Sequence, residues 1–274
     1  MSAPFQFKAE TAVVTGAGSG IGAALARALA ARGTNLVLTD VNAGALIRIQ
    51  EEVGATGVRV TGHAMDIADP EAPAKLAEKV EELHAGCALL FNNAGIAVGG
   101  TFERVREEDF DRVMAVNFGA VVRMSRAFMP MLKSAYEGRL VNISSIFGVI
   151  APPGQTAYSA SKFAVRGFSM ALAHELEGTK VGVTVVHPGG VRTRIAEDAL
   201  MPMNVTSAEV NRSLDQARKS LVMPPDTAAE IILRGVANRK KRVFVGRDAH
   251  TLMWMERLLP TRYMKLIKNR LGGE

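Results

Sequence analysis

Tyr158-Ser159-Ala160-Ser161-Lys162 sets a phenol and an amine four residues apart. On a helix that spacing brings both to one face. A free tyrosine, with a pKa of about 10, is a poor base near neutrality. A neighbouring ammonium favours the phenolate and lowers that pKa. The pair then becomes an acid/base group able to exchange a proton with an alcohol or carbonyl oxygen. A bare Y-x-x-x-K is a frequent accident of helices, so the pair gains meaning only from its neighbours.

The first neighbour is the run Thr15-Gly16-Ala17-Gly18-Ser19-Gly20-Ile21-Gly22. It follows the apolar stretch Ala12-Val13-Val14 and precedes an Ala/Leu-rich stretch from Ile21 to Arg32, so it is a turn between a strand and a helix. Glycines there let the backbone approach a diphosphate, and the helix start offers free N–H groups and the positive end of its dipole. The pattern is T-G-x-x-x-G-x-G; a strict G-x-G-x-x-G fails because position 21 is isoleucine. Asp40 closes the second apolar strand, close to twenty residues later. A carboxylate at that place hydrogen-bonds ribose hydroxyls and repels a 2′-phosphate. No Lys or Arg stands at positions 17, 19, 41 or 42, and Arg48 is the first cation beyond them. These features favour NAD over NADP.

Six features occur in order: the Thr15–Gly22 turn, Asp66, Asn92-Asn93-Ala94-Gly95, Asn117, Ser145 with Tyr158-x-x-x-Lys162, and Pro188-Gly189. In this the chain resembles the short-chain dehydrogenase/reductase family in its single-domain form, over about residues 8 to 246. The resemblance implies Tyr158 as general acid/base. It implies Lys162 as the group that lowers the tyrosine pKa and holds the nicotinamide ribose. Ser145, thirteen residues before Tyr158, would bond the substrate oxygen; Ser144 is the rival hydroxyl but lacks the family spacing. Asn117 would bend its helix and hold a water in a proton relay to Lys162. For the cofactor the resemblance implies Gly16, Ser19, Gly20, Ile21, Gly22 and Asp40, with Asp66 and Ile67 at the adenine and Asn92 and Ala94 along the adenosine. Pro188, Val191 and Thr193 would hold the carboxamide of the nicotinamide, alongside Tyr158 and Lys162 at its ribose. His187 has no catalytic place in the pattern and is read as structural. The family's usual dimers or tetramers, built through its long helices, imply a homo-oligomer here.

The elements that must position these residues alternate. Short apolar runs at 12–15, 36–38, 57–60, 87–91, 139–143, 181–186 and 242–245 read as strands. Helices are expected at 21–32, 43–52, 70–84, 107–131 and 157–177. Alternation of this kind predicts an α/β fold: a doubly wound, Rossmann-type three-layer sandwich with a seven-stranded, mostly or wholly parallel sheet. One catalytic domain spans 1–249. Residues 192–225, rich in methionine and lacking a strand pattern, are a candidate substrate lid.

The chain of 274 residues is long enough for a large core without staples. Its single cysteine, Cys87, excludes a disulfide framework, thiolate-rich zinc sites and iron–sulfur clusters. There is no metal expectation, no spanning run of about 18 apolar residues, and no signal-peptide pattern at the start. A cytoplasmic protein is expected. The net charge of +6 is uneven: Arg234 to Glu274 holds 11 Lys/Arg and 3 Asp/Glu, a net +8, which leaves −2 for all that precedes. That describes a basic tail and argues against a nucleic-acid-binding domain. Within 250–271, Leu252, Met253, Trp254, Leu258, Leu259, Tyr263, Leu266 and Ile267 interleave with Arg257, Arg262, Lys265, Lys268 and Arg270. Pro260 should split this tail into two helices. Its apolar face could lie on a membrane at the inner surface, on a neighbouring subunit or on its own domain.

Apolar segments at 96–98 and 146–150, with Leu200, Met201 and Met203, suit a bulky lipophilic substrate such as a lipid, steroid, retinoid or xenobiotic. Arg192 and Arg194 could instead bind an acid. The reading is an NAD-dependent oxidoreductase that interconverts a secondary alcohol and a ketone. An NADP-dependent carbonyl reductase, or a non-catalytic NAD-binding or membrane-tethered protein reusing the fold, are the alternatives.

Overall fold

The computed structural model describes residues 3–270, with backbone only at 268–270. The tail residues Lys268, Arg270 and Leu271 therefore lie, in side chain or entirely, outside the described residues. The elements run β1 Thr11–Thr15, α1 Gly20–Ala30, β2 Asn35–Asp40, α2 Ala43–Gly54, β3 Val60–Ala64, α3 Ala72–His84, β4 Leu89–Asn92 and α4 Glu107–Met114. There follow α5 Ala120–Ser134, β5 Gly138–Ile143, α6 Thr156–Glu175, β6 Val181–Pro188, α7 Ser207–Ser220, α8 Pro225–Ala237, β7 Arg242–Val245, α9 Arg247–Leu258 and α10 Tyr263–Arg270. The seven strands form one parallel sheet in the order β3-β2-β1-β4-β5-β6-β7.

Alternate strand residues feed two cores, which is why the strands read as unbroken apolar runs. Ala12, Val14, Leu36, Leu38, Leu89 and Phe91 face one side and meet Leu25 and Leu29 of α1 and Ile232 and Leu233 of α8. Val13, Val37, Leu90, Leu140 and Val183 face the other, against Leu76 and Val80 of α3 and Met124, Phe128 and Leu132 of α5. Among the described residues no helix is long and apolar enough to cross a membrane.

Three departures from the sequence reading have physical causes. The third strand is 60–64, not 57–60. It is the sheet edge, none of its residues is buried, and Thr61, Gly62 and His63 suffice there; the search for an apolar run was drawn back onto the turn at Gly57. The long helix expected at 107–131 is broken by a π-helical turn at Ala115–Gly119, with Asn117 inside it. The stretch between β6 and β7 holds two helices that the sequence reading did not name. Of these, α7 buries no side chain and starts from a reciprocal cap between Thr206 and Glu209.

The tail is two helices separated around Pro260. Ala249, Leu252, Met253, Tyr263 and Ile267 pack on Ile146, Val149 and Ile150, in the loop that follows β5. The expected pocket wall at 146–150 is therefore largely a core shared with the tail. Phe147 packs against the same cluster and also sets its ring edge-on to Tyr158 at 6.2 Å.

Candidate active site

The chain leaves β1 for β2 on one side and enters β4 on the other, which opens a crevice at the carboxyl ends of β1 and β4. Because Val14 pairs with Phe91, the turn at Thr15–Gly16 and the segment Asn93–Ala94 emerge side by side. Thr15 Oγ1 accepts from the Asn93 and Ala94 N–H groups, each at 3.0 Å. Asn93 Nδ2 donates back to the carbonyls of Thr15 at 2.9 Å and Gly16 at 3.2 Å. Gly16 sits at φ +64, and a Cβ on Gly22 would run into the Gly16 carbonyl, so the turn tolerates no side chain at either place. Ser19 precedes α1 without a side-chain cap. The first N–H groups of α1, at Gly20, Ile21 and Gly22, then point at the crevice with the positive end of the dipole behind them.

Asp40 lies at the end of β2, half-buried. Its Oδ2 accepts from Gly18 N–H at 2.8 Å and its Oδ1 from Asn42 N–H at 2.9 Å. Each carboxylate oxygen keeps a lone pair for a further donor. Such a turn, helix start and carboxylate can hold a dinucleotide. Asp66, past the edge strand, caps Ala68 N–H at 2.9 Å and pairs with Arg112 at 2.8 Å, while Ile67 is buried beside it. Ala94 is in the crevice. The Asn92 side chain is not: it turns into the sheet layer and donates to Asn142 at 2.9 Å and Ser125 at 3.3 Å.

The acid/base group gathers at the ends of β4, β5 and α6. Lys162, 3% exposed, donates from Nζ to the Ile143 carbonyl at 3.1 Å and stands 5.6 Å from the centre of the Tyr158 ring. A Cβ on Gly95 would meet both Lys162 Nζ and Asn117 Oδ1 at 3.2 Å, so those two side chains converge on Gly95. Asn117 accepts from Ile96 N–H at 2.9 Å and donates to the Ile96 carbonyl at 2.9 Å and to Ser161 Oγ at 3.0 Å. The π turn thus hands an amide to the loop after β4, a use such turns often have.

Ser145 Oγ accepts from Phe147 N–H at 3.1 Å, which leaves its own hydrogen free to donate. Ser144 is already spent on the Lys162 carbonyl at 2.8 Å. Burial pushes the Tyr158 phenol up to about 12, while a hydrogen bond with Ser145 pulls the other way. Burial brings Lys162 down to about 8. Ser145, Tyr158, Lys162 and Asn117 therefore stand together, and the side chain that bonds the phenol is Ser145.

Beside Ser145, β6 delivers His187-Pro188-Gly189-Gly190. The Val191 side chain is buried and its backbone bridges to Met223; Thr193 Cγ2 lies next to Gly20, across the mouth of the glycine turn.

The profile of the family described as short chain dehydrogenase matches residues 10–203. The chain belongs to that family. A Mycobacterium tuberculosis protein named as an oxidoreductase, SadH, is 38% identical over 263 residues, 95% of each chain. A short-chain dehydrogenase/reductase from Burkholderia phymatum, solved with NAD, superposes with a TM-score of 0.83 at 29% identity over 98% of this chain and 97% of that one. A metagenomic short-chain oxidoreductase, solved with NADP, superposes with a TM-score of 0.71 at 31% identity over 87% of this chain and 98% of that one. The protein is thus a short-chain dehydrogenase/reductase oxidoreductase.

Sequence reasoning gave no part in the crevice to three residues that shape it, although it read His187 as structural. Asn93 and Thr15 brace the glycine turn, and the only signal for them was their place beside named positions. His187 is fully buried; its Nδ1 lies 3.0 Å from the Ser145 carbonyl, and its ring stacks on Phe244 at 5.0 Å. Burial pulls its pKa down to about 3, so the ring is neutral with Nδ1 donating. It is structural, yet it holds the backbone of Ser145. The parallel pairing of Ile143 with Val186 places the two residues side by side, and no local sequence signal carries that.

Proposed function

We propose that the protein interconverts a secondary alcohol and a ketone on a lipophilic molecule, with NAD as cofactor. The observation that carries this reading is the buried Tyr158–Lys162 pair, with the amine 5.6 Å from the centre of the phenol ring and Ser145 acting on the phenol. When bound, the nicotinamide supplies the acceptor or donor of hydride. Gly16, Ser19, Gly20, Ile21 and Gly22 hold its diphosphate, and Asp40 its adenosine ribose. Asp66 and Ile67 take the adenine, with Ala94 along the adenosine. Pro188, Val191 and Thr193 take the nicotinamide end. These assignments follow the family pattern and fit a crevice in which Gly16 and Gly22 leave no room for side chains.

In oxidation Tyr158 accepts the hydroxyl proton of the substrate; in reduction it returns one to the developing alkoxide. Ser145 donates a hydrogen bond to the same oxygen as its charge grows. Lys162, with its charge beneath the ring, favours the phenolate, and Asn117 fixes the loop that faces Lys162. Asp40 supports NAD, since a carboxylate at the end of β2, held in place by the Gly18 and Asn42 N–H groups, repels a 2′-phosphate. The solved relatives include an NAD complex and an NADP complex, so the choice rests on this carboxylate.

Three observations support a lipophilic substrate. Phe147 stands edge-on to Tyr158. Met201 and Met203 are exposed on the stretch between β6 and α7. Arg194, which could have bound an acid, is paired with Asp198 at 2.8 Å. The test is NAD⁺ reduction across secondary alcohols graded from small and polar to large and apolar, with Tyr158→Phe as control. Turnover concentrated in the large apolar members is expected. Turnover confined to small polar alcohols would overturn the substrate class, and turnover surviving in Tyr158→Phe would overturn the mechanism.

A further inference from the structure

The C-terminal helices present two chemically different faces. The inner face is occupied: Ala249, Leu252, Met253, Tyr263 and Ile267 pack on the loop after Ser145, and Tyr263 Oη accepts from Ala151 N–H at 3.1 Å. The outer face holds Trp254, Leu258, Leu259 and Leu266, which are 52%, 69%, 39% and 40% exposed. Large apolar side chains gathered on one exposed face mark a docking surface. Arg257, Arg262 and Lys265 are exposed among them, and the Arg257 guanidinium lies 5.7 Å from the centre of the Trp254 ring. The two acids between 247 and 267 are engaged inward. Asp248 Oδ2 accepts from Gly190 N–H at 2.6 Å, and half-buried Glu256 acts on Arg242. An apolar centre with cations around it therefore faces outward.

We infer that this outer face docks on an anionic lipid surface. Trp254, Leu258, Leu259 and Leu266 enter the headgroup boundary, and Arg257, Arg262 and Lys265 meet the phosphates. The net +8 of residues 234–274, on a chain that is otherwise −2, supplies the long-range attraction. A second copy fits the face poorly. A two-fold contact sets the same patch against itself, cation on cation. The inference goes beyond the proposed reaction. It is measured apart from turnover, so either can fail without the other.

Trp254 is the only tryptophan of the chain, so its emission reports this face alone. The experiment mixes full-length protein with sucrose-loaded vesicles, either of phosphatidylglycerol and phosphatidylcholine in equal parts or of phosphatidylcholine alone, at low and high salt. Expected are co-sedimentation and a blue-shifted emission with the anionic vesicles at low salt, both much weaker with neutral vesicles or at high salt. Replacing the three cations together (R257Q, R262Q, K265Q) should weaken binding about 100-fold, since each is worth about fivefold near an anionic surface. Leu258→Ala should weaken it several-fold. An unchanged melting temperature and far-ultraviolet circular dichroism spectrum verify that the variants are folded. Three results would overturn the inference: no vesicle binding at low salt, binding that the triple variant keeps, or an emission already blue-shifted in buffer that Leu258→Glu returns to red while halving the sedimenting mass. The last would assign the face to a second copy of the chain.

Discussion

The floor of the candidate active site and the 192–225 stretch, which we propose as its roof, are built on opposite terms. In the floor, Asn117, Ser144, Ser161, Lys162 and His187 are at most 3% exposed, and each bonds a backbone or side-chain partner across β4, β5, β6 and α6. In the roof, α7 buries nothing, and Met201 and Met203 stand in water. The roof is held by the backbone bridges Val98–Leu200 and Val191–Met223, the Met203 N–H bond to the Arg104 carbonyl at 2.8 Å and the Arg104–Glu209 ion pair at 2.9 Å. Proton transfer needs groups fixed within a fraction of an ångström, and a buried, hydrogen-bonded network supplies that. Substrate choice needs a surface that can open and re-pack, and segments with few buried contacts open at low free energy. Floor variants should therefore lower turnover on every substrate alike, whereas roof variants should change the ratio between substrates.

The largest effect is expected at Tyr158. Tyr158→Phe keeps the ring against Phe147 and removes only the transferable proton, so kcat should fall by about 10²- to 10⁴-fold on all substrates while NADH binding is kept. A loss differing tenfold between substrates would break the division between floor and roof. Lys162 comes next, through pH. The tyrosine near 12 and the lysine near 8 form a coupled pair whose first proton leaves near 8. The form able to accept a proton, phenolate with ammonium, has the same charge as phenol with free amine. Its population therefore rises about tenfold per pH unit below 8 and is level above it. Alcohol oxidation should follow that curve, and ketone reduction should be flat below pH 8 and fall above it. In Lys162→Met only the tyrosine remains, and the break should move toward 12, which stopped-flow profiles at saturating NAD⁺ would detect.

The floor was more legible in the sequence than the roof, for a physical reason. Strands buried on both faces must be apolar throughout, and a helix that carries a Tyr–Lys pair on one face must show it at a spacing of four. Thus β1, β5, β6 and β7 and the Tyr158–Lys162 pair could be read from pattern alone, whereas Asn117 and Ser145 came only with the family resemblance. Contacts that arise only when strands pair, such as His187 to the Ser145 carbonyl or Asn93 to Thr15, leave no local pattern. The π turn at 115–119 has no periodic signature, and β3, an edge, lacks the apolar run that betrays its neighbours. In the roof, α7 is held by its cap and not by a buried stripe, so periodicity is silent there. The apolar run 146–150 misled for the opposite reason: its pattern says buried, but not whether a substrate or the chain's own tail does the burying.

At the crevice, Asp40→Ala should raise the KM for NAD about tenfold or more and lower that for NADP. Arg48 helps the exchange, since its guanidinium reaches back to within 3.8 Å of where a Cβ on Gly44 would stand, near the start of α2. Cofactor kinetics on one alcohol decide it, and an unchanged NAD/NADP ratio would remove Asp40 from the cofactor. His187 gives a smaller, stability-borne effect. Its folded pKa near 3 lies below the value of about 6.5 for the unfolded chain, so the unfolded state takes up the proton first. Stability is then full above pH 6.5 and falls by about 1.4 kcal/mol per unit below it. His63 and His84, also lowered by burial, add in the same direction. His187→Gln, whose amide can still donate toward Ser145, should flatten part of the decline of Tm between pH 6.5 and 5.

The smallest effect belongs to the roof, and it separates salt from pH. Glu209 is held down to about 2, first by the Thr206 backbone N–H and then by Arg104 and the Thr206 hydroxyl. With its folded pKa below the ordinary carboxylate value, whatever the tie contributes is present above pH 4.5 and is lost only as pH falls toward 2. Across the working range of the enzyme the pair is therefore always charged and cannot act as a pH switch. It is also open to solvent, so ions screen it. The KM for a bulky alcohol should then drift by about two- to threefold as salt rises, with kcat unchanged. In Arg104→Ala the low-salt KM should already equal the high-salt value of the parent and respond no further. A fall in kcat in that variant, on small and large alcohols alike, would mean that roof and floor are one mechanical unit and that substrate choice cannot be altered without touching proton transfer.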